Sequence, residues 1–299
     1  MKKYLVTGGL GFIGKHLTNK LSQKNSVIVV DDKSNGNLKN LKKNKNIKII
    51  LAKIQKLKKI NNIDGIFHFC AQSSAQKSIE DLNNSSINNI ASTLKAFQIA
   101  KDNSCPIIFA SSSAVYGNLK LGNDEKNKTD LLSPYALDKY YMEKLSSLYF
   151  KLFNVSSIGM RLYNVYGVGQ KQDSKYSGII PILLTNLKRK RKTLIYGGSQ
   201  TRDFINVEDV VEISIMLLNY ATKKKINEIY NVGTGKQISV LNLYKTIKNM
   251  TKNKNKFVIK NYKKGDPKIS RGTFKKIRKK ILPTNYNYIA LDEGLKKLI

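Results

Sequence analysis

Tyr135 and Lys139, four residues apart in "SPYALDK", fall on one face if this stretch is helical. Such a pair can do proton chemistry. A phenol titrates at about 10 and is a poor base at neutral pH, but neighbouring cations favour the phenolate and bring that value down. On a solvated helix the same spacing is common and means nothing, so its surroundings decide. "ASSSAVYG" ends an earlier apolar run and would set hydroxyls at the C-terminal edge of a sheet, where ligands sit in open α/β folds. A second cue is "TGGLGFIG", residues 7–14, with glycines at 8, 11 and 14. These glycines allow a tight turn, a close approach of backbone to a pyrophosphate, and close packing of helix on strand.

A glycine run is weak evidence until its context is read. Here the apolar run "YLVTG" precedes it and the amphipathic segment "FIGKHLTNKLSQ" follows. A second apolar run then ends in Asp31, twenty positions after Gly11. That spacing places a carboxylate where a ribose hydroxyl would donate to it. A carboxylate repels a 2′-phosphate and no arginine stands nearby, which favours NAD over NADP. With NAD bound, its nicotinamide ring would be a second cation beside Tyr135.

These residues must be held by a sheet. The runs "YLVTGG", "SVIVVDD", "IKIILA", "GIFHFCA", "CPIIFASSS" and "VSSIGMRLYNVYG" alternate with helix-length segments, the pattern of a parallel sheet with helices on both faces. Their near-continuous hydrophobicity fits strands covered on both sides. After about Gly169 the rhythm changes to a loop with Gly178 and Pro181, a helix ending in a basic run, short strands near "TLIYGG" and "EIYNVG", and a lysine-rich tail. The reading is an α/β doubly wound parallel sheet over 1–170 and a smaller α/β lobe over 171–299, with about 203–232 returning to the first.

Charge is the odd feature of the 299 residues: 54 Lys and Arg against 20 Asp and Glu give +34. Arginine, the preferred reader of phosphates and guanine edges, accounts for six positions, and the lysines are scattered over every surface segment. The densest run, "LKRKRK" at 187–192, fits the solvated end of a helix. No nucleic-acid partner is expected, and no membrane partner, because no apolar run approaches the roughly 18 residues that a span needs. Cys70 and Cys105 offer at most one disulfide and no clustered metal set, so no metal is expected. With no secretory leader ahead of the first strand, the expected location is the cytoplasm.

Taken in order, "TGGLGFIG", "VVDDKSNGN", "HFCAQSS", "SSSAVYG", "SPYALDK", "RLYNVYG", "YSGIIPI", "QTRDFINVEDV", "YNVGTGK" and "KKGDPKIS" resemble the NAD-dependent nucleotide-sugar epimerase and dehydratase family. These are extended short-chain dehydrogenases with a Rossmann-type domain. The resemblance implies that Tyr135 is the base, that Lys139 holds the nicotinamide ribose and tunes Tyr135, and that Ser112 bonds the reacting hydroxyl. It places Gly8, Gly11, Phe12, Ile13, Gly14, Asp31, Asn35, Ala71 and Asn89 around NAD. It places Ser74, Asn164, Arg202, Lys263 and Asp266 around the substrate, with Asn164 and Arg202 on its diphosphate and Lys263 and Asp266 at the nucleotide end. Asp203, next to Arg202, offers a competing structural ion pair. A homodimer through a helix bundle that includes the Tyr135 helix is also implied.

Within the family, dehydratases carry an acid pair after the catalytic Ser/Thr, where this chain has Ser113 and Ala114. The resemblance therefore points to 4-epimerisation of a UDP-hexose, glucose/galactose or the N-acetyl forms. Ser270, four after Asp266, stands where bulk accompanies unmodified hexoses, which leaves room for an acetamido group. The alternatives are decarboxylation or 4-epimerisation of UDP-glucuronate, and a drifted protein that binds nucleotide sugar and turns over poorly. Two departures feed the last reading: Lys53 replaces an acidic residue expected to bond the adenine, and Lys263 replaces an arginine.

Overall fold

Each of the six apolar runs begins or contains a strand, and all lie in one sheet of a computed structural model that describes residues 1–126, 128–171, 177–262 and 265–299. The strands are β1 (Lys3–Thr7), β2 (Ser26–Asp31), β3 (Ile47–Leu51), β4 (Gly65–His68), β5 (Ile107–Ser112) and β6 (Ser157–Leu162). A seventh, β10 (Asn227–Val232), pairs parallel with β6 at the sheet edge, and the order is β10-β6-β5-β4-β1-β2-β3. Every pairing is parallel. Strand order reverses between β1 and β4, and the crevice at their C-terminal ends is where such a sheet receives ligands.

Alternate residues of each strand face opposite helical layers. Tyr4, Val6, Phe67, Ile108 and Met160 pack toward α1 (Phe12–Leu21) and α6 (Val207–Lys223), through Leu17, Leu21, Val210 and Leu217. Leu5, Ile66, Ile107 and Phe109 pack toward α3 (Leu82–Asp102) and α4 (Pro134–Phe153), through Phe97, Ala100 and Met142. A short helix, α2 (Ala75–Glu80), lies between β4 and α3.

The remaining elements form two small sheets. Strand β7 (Asn164–Tyr166) pairs with β9 (Thr201–Asn206), which pairs in turn with β11 (Gln237–Ser239). Strand β8 (Thr193–Tyr196) pairs with β12 (Phe257–Lys260). "RLYNVYG" is thus not one strand: the chain leaves the main sheet at Tyr163 and enters the small one at Asn164. Helices α5 (Ile179–Lys188) and α7 (Val240–Met250) enclose an apolar cluster of Leu183, Leu187, Ile195, Leu243 and Ile247. Two six-residue helices, α8 (Lys275–Lys280) and α9 (Leu291–Lys296), complete the chain. Pro181, expected in a loop, sits in the first turn of α5, where its missing N–H has no helical partner to lose. The basic run straddles the end of α5, exposed from Lys188 to Lys192. Among the described residues no helix is long and apolar enough to cross a membrane, and both cysteines are free thiols.

Candidate active site

Helix α1 begins one residue after Gly11, which caps it without a side-chain bond, and its first turn holds no acid. Its leading N–H groups therefore point into the crevice with nothing of their own to neutralise them. Gly8 turns the chain with φ of +70° and Gly11 N–H donates to its carbonyl at 3.0 Å. A Cβ on Gly14 would fall on that same carbonyl oxygen, so helix and strand meet with no room for a side chain. Asp31, 7% exposed at the end of β2, accepts from Leu10 N–H at 3.0 Å and from Lys33 N–H at 2.8 Å. It locks the glycine loop while keeping lone pairs to spare. This cradle fits a dinucleotide. Gly14→Ala is expected to weaken NAD binding at least tenfold and to cost about 1–3 kcal/mol in stability. Isothermal titration and thermal melts check this; wild-type NAD affinity in the variant would contradict it.

Opposite the cradle, β5 ends at Ser112 and α4 starts at Pro134, capped by Ser133. Ser78 Oγ accepts from Tyr135 N–H at 3.1 Å, satisfying a second leading donor of α4 and fixing its first turn. Tyr135 lies close enough to Ser112 for that hydroxyl to pull its phenol down, and Ser112 Oγ accepts from Ala114 N–H at 3.1 Å. Lys139 is 2% exposed and donates to the Ala110 carbonyl at 2.7 Å, with its ammonium 5.6 Å from the Tyr135 ring centre. The expected trio of Ser112, Tyr135 and Lys139 does converge.

Its electrostatics differ from the simple expectation. Burial pushes the Tyr135 phenol above its ordinary value, opposed by the nearby Ser112 hydroxyl and reinforced by Asp138. Burial also lowers Lys139 to about 8. The protein's own groups therefore do not bring the phenol down, because the desolvation that makes the site also penalises the phenolate. Beneath them His68 is held neutral, lowered to about 3 by burial and by the Lys139 ammonium, between the Thr7 hydroxyl at 2.8 Å and the Thr93 hydroxyl at 3.3 Å.

Around this centre, Ala71 is partly exposed at the mouth of β4 and Asn89 is 1% exposed on α3. Phe12 and Ile13 are partly exposed in the first turn of α1, and Asn35 stands exposed in the loop after β2. Ser74 caps α2, accepting from Lys77 N–H at 3.2 Å. Across the crevice Asn164 donates to the Asp203 carbonyl at 3.3 Å. Arg202 donates to the Thr201 carbonyl at 2.7 Å and pairs with Asp266 at 2.5 Å. Asp203 is not its partner: 1% exposed, it accepts from Thr234 and Gly235 in the turn after β10. Lys263 lies outside the described residues. Lys53 is exposed beside the end of β3.

Sequence reasoning missed four residues behind the trio: Glu143, Arg161, Ser111 and Asp138. Glu143, two turns after Tyr135, takes both forks of Arg161 at 2.8 and 2.6 Å and accepts from Ser111 at 2.5 Å. Asp138 accepts from Asn89 at 2.8 Å. The signal available was spacing, since Tyr135, Lys139 and Glu143 recur every four residues on one helix face.

A glycine cradle at the reversal point of a parallel sheet, facing a buried Ser and Lys and a half-buried Tyr, defines a dinucleotide-dependent enzyme of the extended short-chain dehydrogenase class. The profile of the NAD dependent epimerase/dehydratase family matches residues 4–233, and the chain belongs to that family and uses NAD. A putative UDP-glucose 4-epimerase of Methanocaldococcus jannaschii is 35% identical over 258 residues, which cover 82% of this chain and 81% of that protein. A UDP-N-acetyl-alpha-D-glucosaminuronate decarboxylase of Bacillus cytotoxicus is 30% identical over 284 residues, covering 86% and 83%. Among solved structures, a UDP-N-acetylglucosamine 4-epimerase of Methanobrevibacter ruminantium M1 in complex with UDP-N-acetylmuramic acid superposes with a TM-score of 0.89 at 28% identity, covering 99% of this chain and 98% of that one.

Proposed function

We propose that the protein is a UDP-hexose 4-epimerase. One observation carries the reading: Ser112 and Tyr135 meet above the buried Lys139, while the two positions after Ser112 are Ser113 and Ala114, with no acid to assist expulsion of a C6 hydroxyl. Tyr135 takes the proton of the C4 hydroxyl, and Ser112 orients that hydroxyl and shares the developing charge. NAD, held by the glycine cradle, would supply the acceptor and then the donor of the C4 hydrogen with its electron pair. Lys139 holds the ribose beside the ring. When the 4-keto sugar has turned over, Tyr135 gives its proton back to the oxygen, and the C4 centre is inverted with atoms and electrons restored.

Asn164 and Arg202 contact the diphosphate, which suits a guanidinium already oriented by Thr201 and Asp266. Asp266 and Lys263 take the nucleotide end, Ser74 lies at the sugar, and Asn35, Ala71 and Asn89 line the cofactor. The small Ser270 is 9% exposed and extends the substrate range to N-acetylated hexoses. Decarboxylation of a UDP-uronate is the second reading, favoured by the decarboxylase relative, since it begins with the same oxidation. Incubation with UDP-glucose, UDP-N-acetylglucosamine and UDP-glucuronate, with products read by ion exchange and NMR, separates them. A C4 epimer of either hexose is expected. Carbon dioxide with a pentose product would favour the decarboxylase, and no turnover by the folded, NAD-loaded protein would leave the binding-protein reading.

The active form is a homodimer through α3 and α4. The two helices pack side by side, and Leu137, Leu148 and Leu152 on α4 are 55%, 49% and 61% exposed, with Ile87 and Leu94 on α3 at 67% and 39%. Positions 137, 148 and 152 keep one helix face, as do 87 and 94, and such a stripe is what a four-helix bundle buries. Light scattering is expected to give twice the chain mass of 33.8 kDa, and the double variant Leu148→Asp, Leu152→Asp to give a single chain. A monomeric wild type would contradict this.

A further inference from the structure

The catalytic helix carries a buried charge that the proposed reaction does not use. Asp138 is 3% exposed, lies between Tyr135 and Lys139 in sequence, and makes no ion pair among the described residues. Its Oδ2 accepts from Asn89 Nδ2 at 2.8 Å. Asn89 is itself pinned, accepting from Gln72 N–H at 2.7 Å and reaching the Gln72 carbonyl at 3.4 Å. The other buried acid of this helix, Glu143, is neutralised by Arg161. Lys139, next to Asp138, is buried to the same degree and bonds Ala110 instead.

Two opposite charges buried at consecutive positions of one helix, with no ion pair between them, call for an explanation, because either alone is strongly unfavourable in a dry site. A contact ion pair would occupy the ammonium's donors. Holding the carboxylate off on Asn89 lets the charges compensate through space and leaves Lys139 N–H groups for a ligand. We propose that Asp138 is the counter-charge of the catalytic pair, a positioning residue that balances the Lys139 ammonium from a distance.

The neighbours leave this role to Asp138. Facing the ammonium are His68 at the end of β4, neutral above about 3, and Cys70 two residues on, a thiol pushed up to about 11 by burial and by the charges of Asp32 and Asp31. From β5 comes the Ala110 carbonyl and from α4 the ring of Tyr135, with Ser112 beside that phenol and Asn89 of α3 on Asp138 itself. Against burial, which drives Lys139 down, Asp138 holds it up, and it also holds the Tyr135 phenol up. Removing the negative charge lowers both values: it destabilises the ammonium and favours the phenolate.

The consequence for turnover rests on the reading of Tyr135 and Lys139 given above; the charge balance does not. The test is a pH titration of the full-length protein carrying [13Cε]lysine. The Lys139 resonance is identified by its loss in Lys139→Met, and its midpoint is expected near 8. Asp138→Asn keeps an acceptor for Asn89 and is expected to move that midpoint down by about one pH unit. Asp138→Glu restores the charge and is expected to return it toward the wild-type value. The pH optimum of sugar turnover shifts down with the midpoint in Asp138→Asn, which a purely structural role would not produce. An unmoved Lys139 midpoint in folded Asp138→Asn overturns the proposal, and Asp138→Ser gives the same readout if the asparagine variant does not fold. A moved midpoint in a protein without epimerase activity would uphold the charge balance and remove the functional reading instead.

Discussion

Tyr135→Phe is expected to lower kcat by about 10²–10⁴-fold, the usual cost of losing a general base, while the protein stays folded and binds NAD. The ring is kept, so α4 packs as before, and only the hydroxyl that meets Ser112 is lost. Because that hydroxyl acts on the proton rather than on ground-state binding, KM for the sugar nucleotide should change far less than kcat. Steady-state kinetics with equilibrium NAD titration check this. Epimerisation at the wild-type rate by Tyr135→Phe would mean that another group takes the C4 proton.

Glu143→Ala should be the most damaging single change to the fold near the site. It strands a guanidinium that is 3% exposed and whose fork is filled by that carboxylate, with Tyr116 on the remaining nitrogen at 2.8 Å. Breaking a buried pair on one side costs about 3–5 kcal/mol, because the surviving charge has nowhere to be solvated. In a chain of this size the melting temperature should fall on the order of 10 °C. Arg161→Met combined with Glu143→Leu should recover much of that loss by removing both charges. A melt within 2 °C of wild type for Glu143→Ala would show that water reaches Arg161. Ser111, bonded to the same carboxylate, adjoins Ser112, so the loss should also loosen the catalytic strand end.

The main sheet was legible because strands covered on both faces must be apolar throughout, and that leaves an unbroken signal in "SVIVVDD" and "CPIIFASSS". The small sheets are legible only at β8, in "TLIYGG". Strands of three or four residues, such as β11 and β12, carry too little pattern, and the switch of sheets at Tyr163 happens inside one apolar run. Local spacing likewise revealed the glycine cradle, Asp31, and the pair of Tyr135 and Lys139. What it hid was long-range partnership. Asp203 beside Arg202 is the competing partner that local sequence offers, yet strand alternation turns Asp203 toward Thr234, and the carboxylate that reaches Arg202 is Asp266, 64 positions away. The bond from Asn89 to Asp138 spans 49 positions and has no local signature at all. The effect of burial on Tyr135 was also out of reach, since a motif does not report how dry its surroundings are.

The central claim is that Tyr135, Ser112 and Lys139 serve a transient oxidation at C4 that reverses on the opposite face. Its most direct test is to incubate the NAD-loaded protein with UDP-glucose and UDP-N-acetylglucosamine, each deuterated at C4, in ordinary water, and to follow the sugar by NMR. The account predicts the C4 epimer of at least one of them, with deuterium retained at C4 because that hydrogen leaves and returns without meeting solvent. An epimer carrying solvent hydrogen at C4, or a C6-deoxy keto product in place of an epimer, would contradict it.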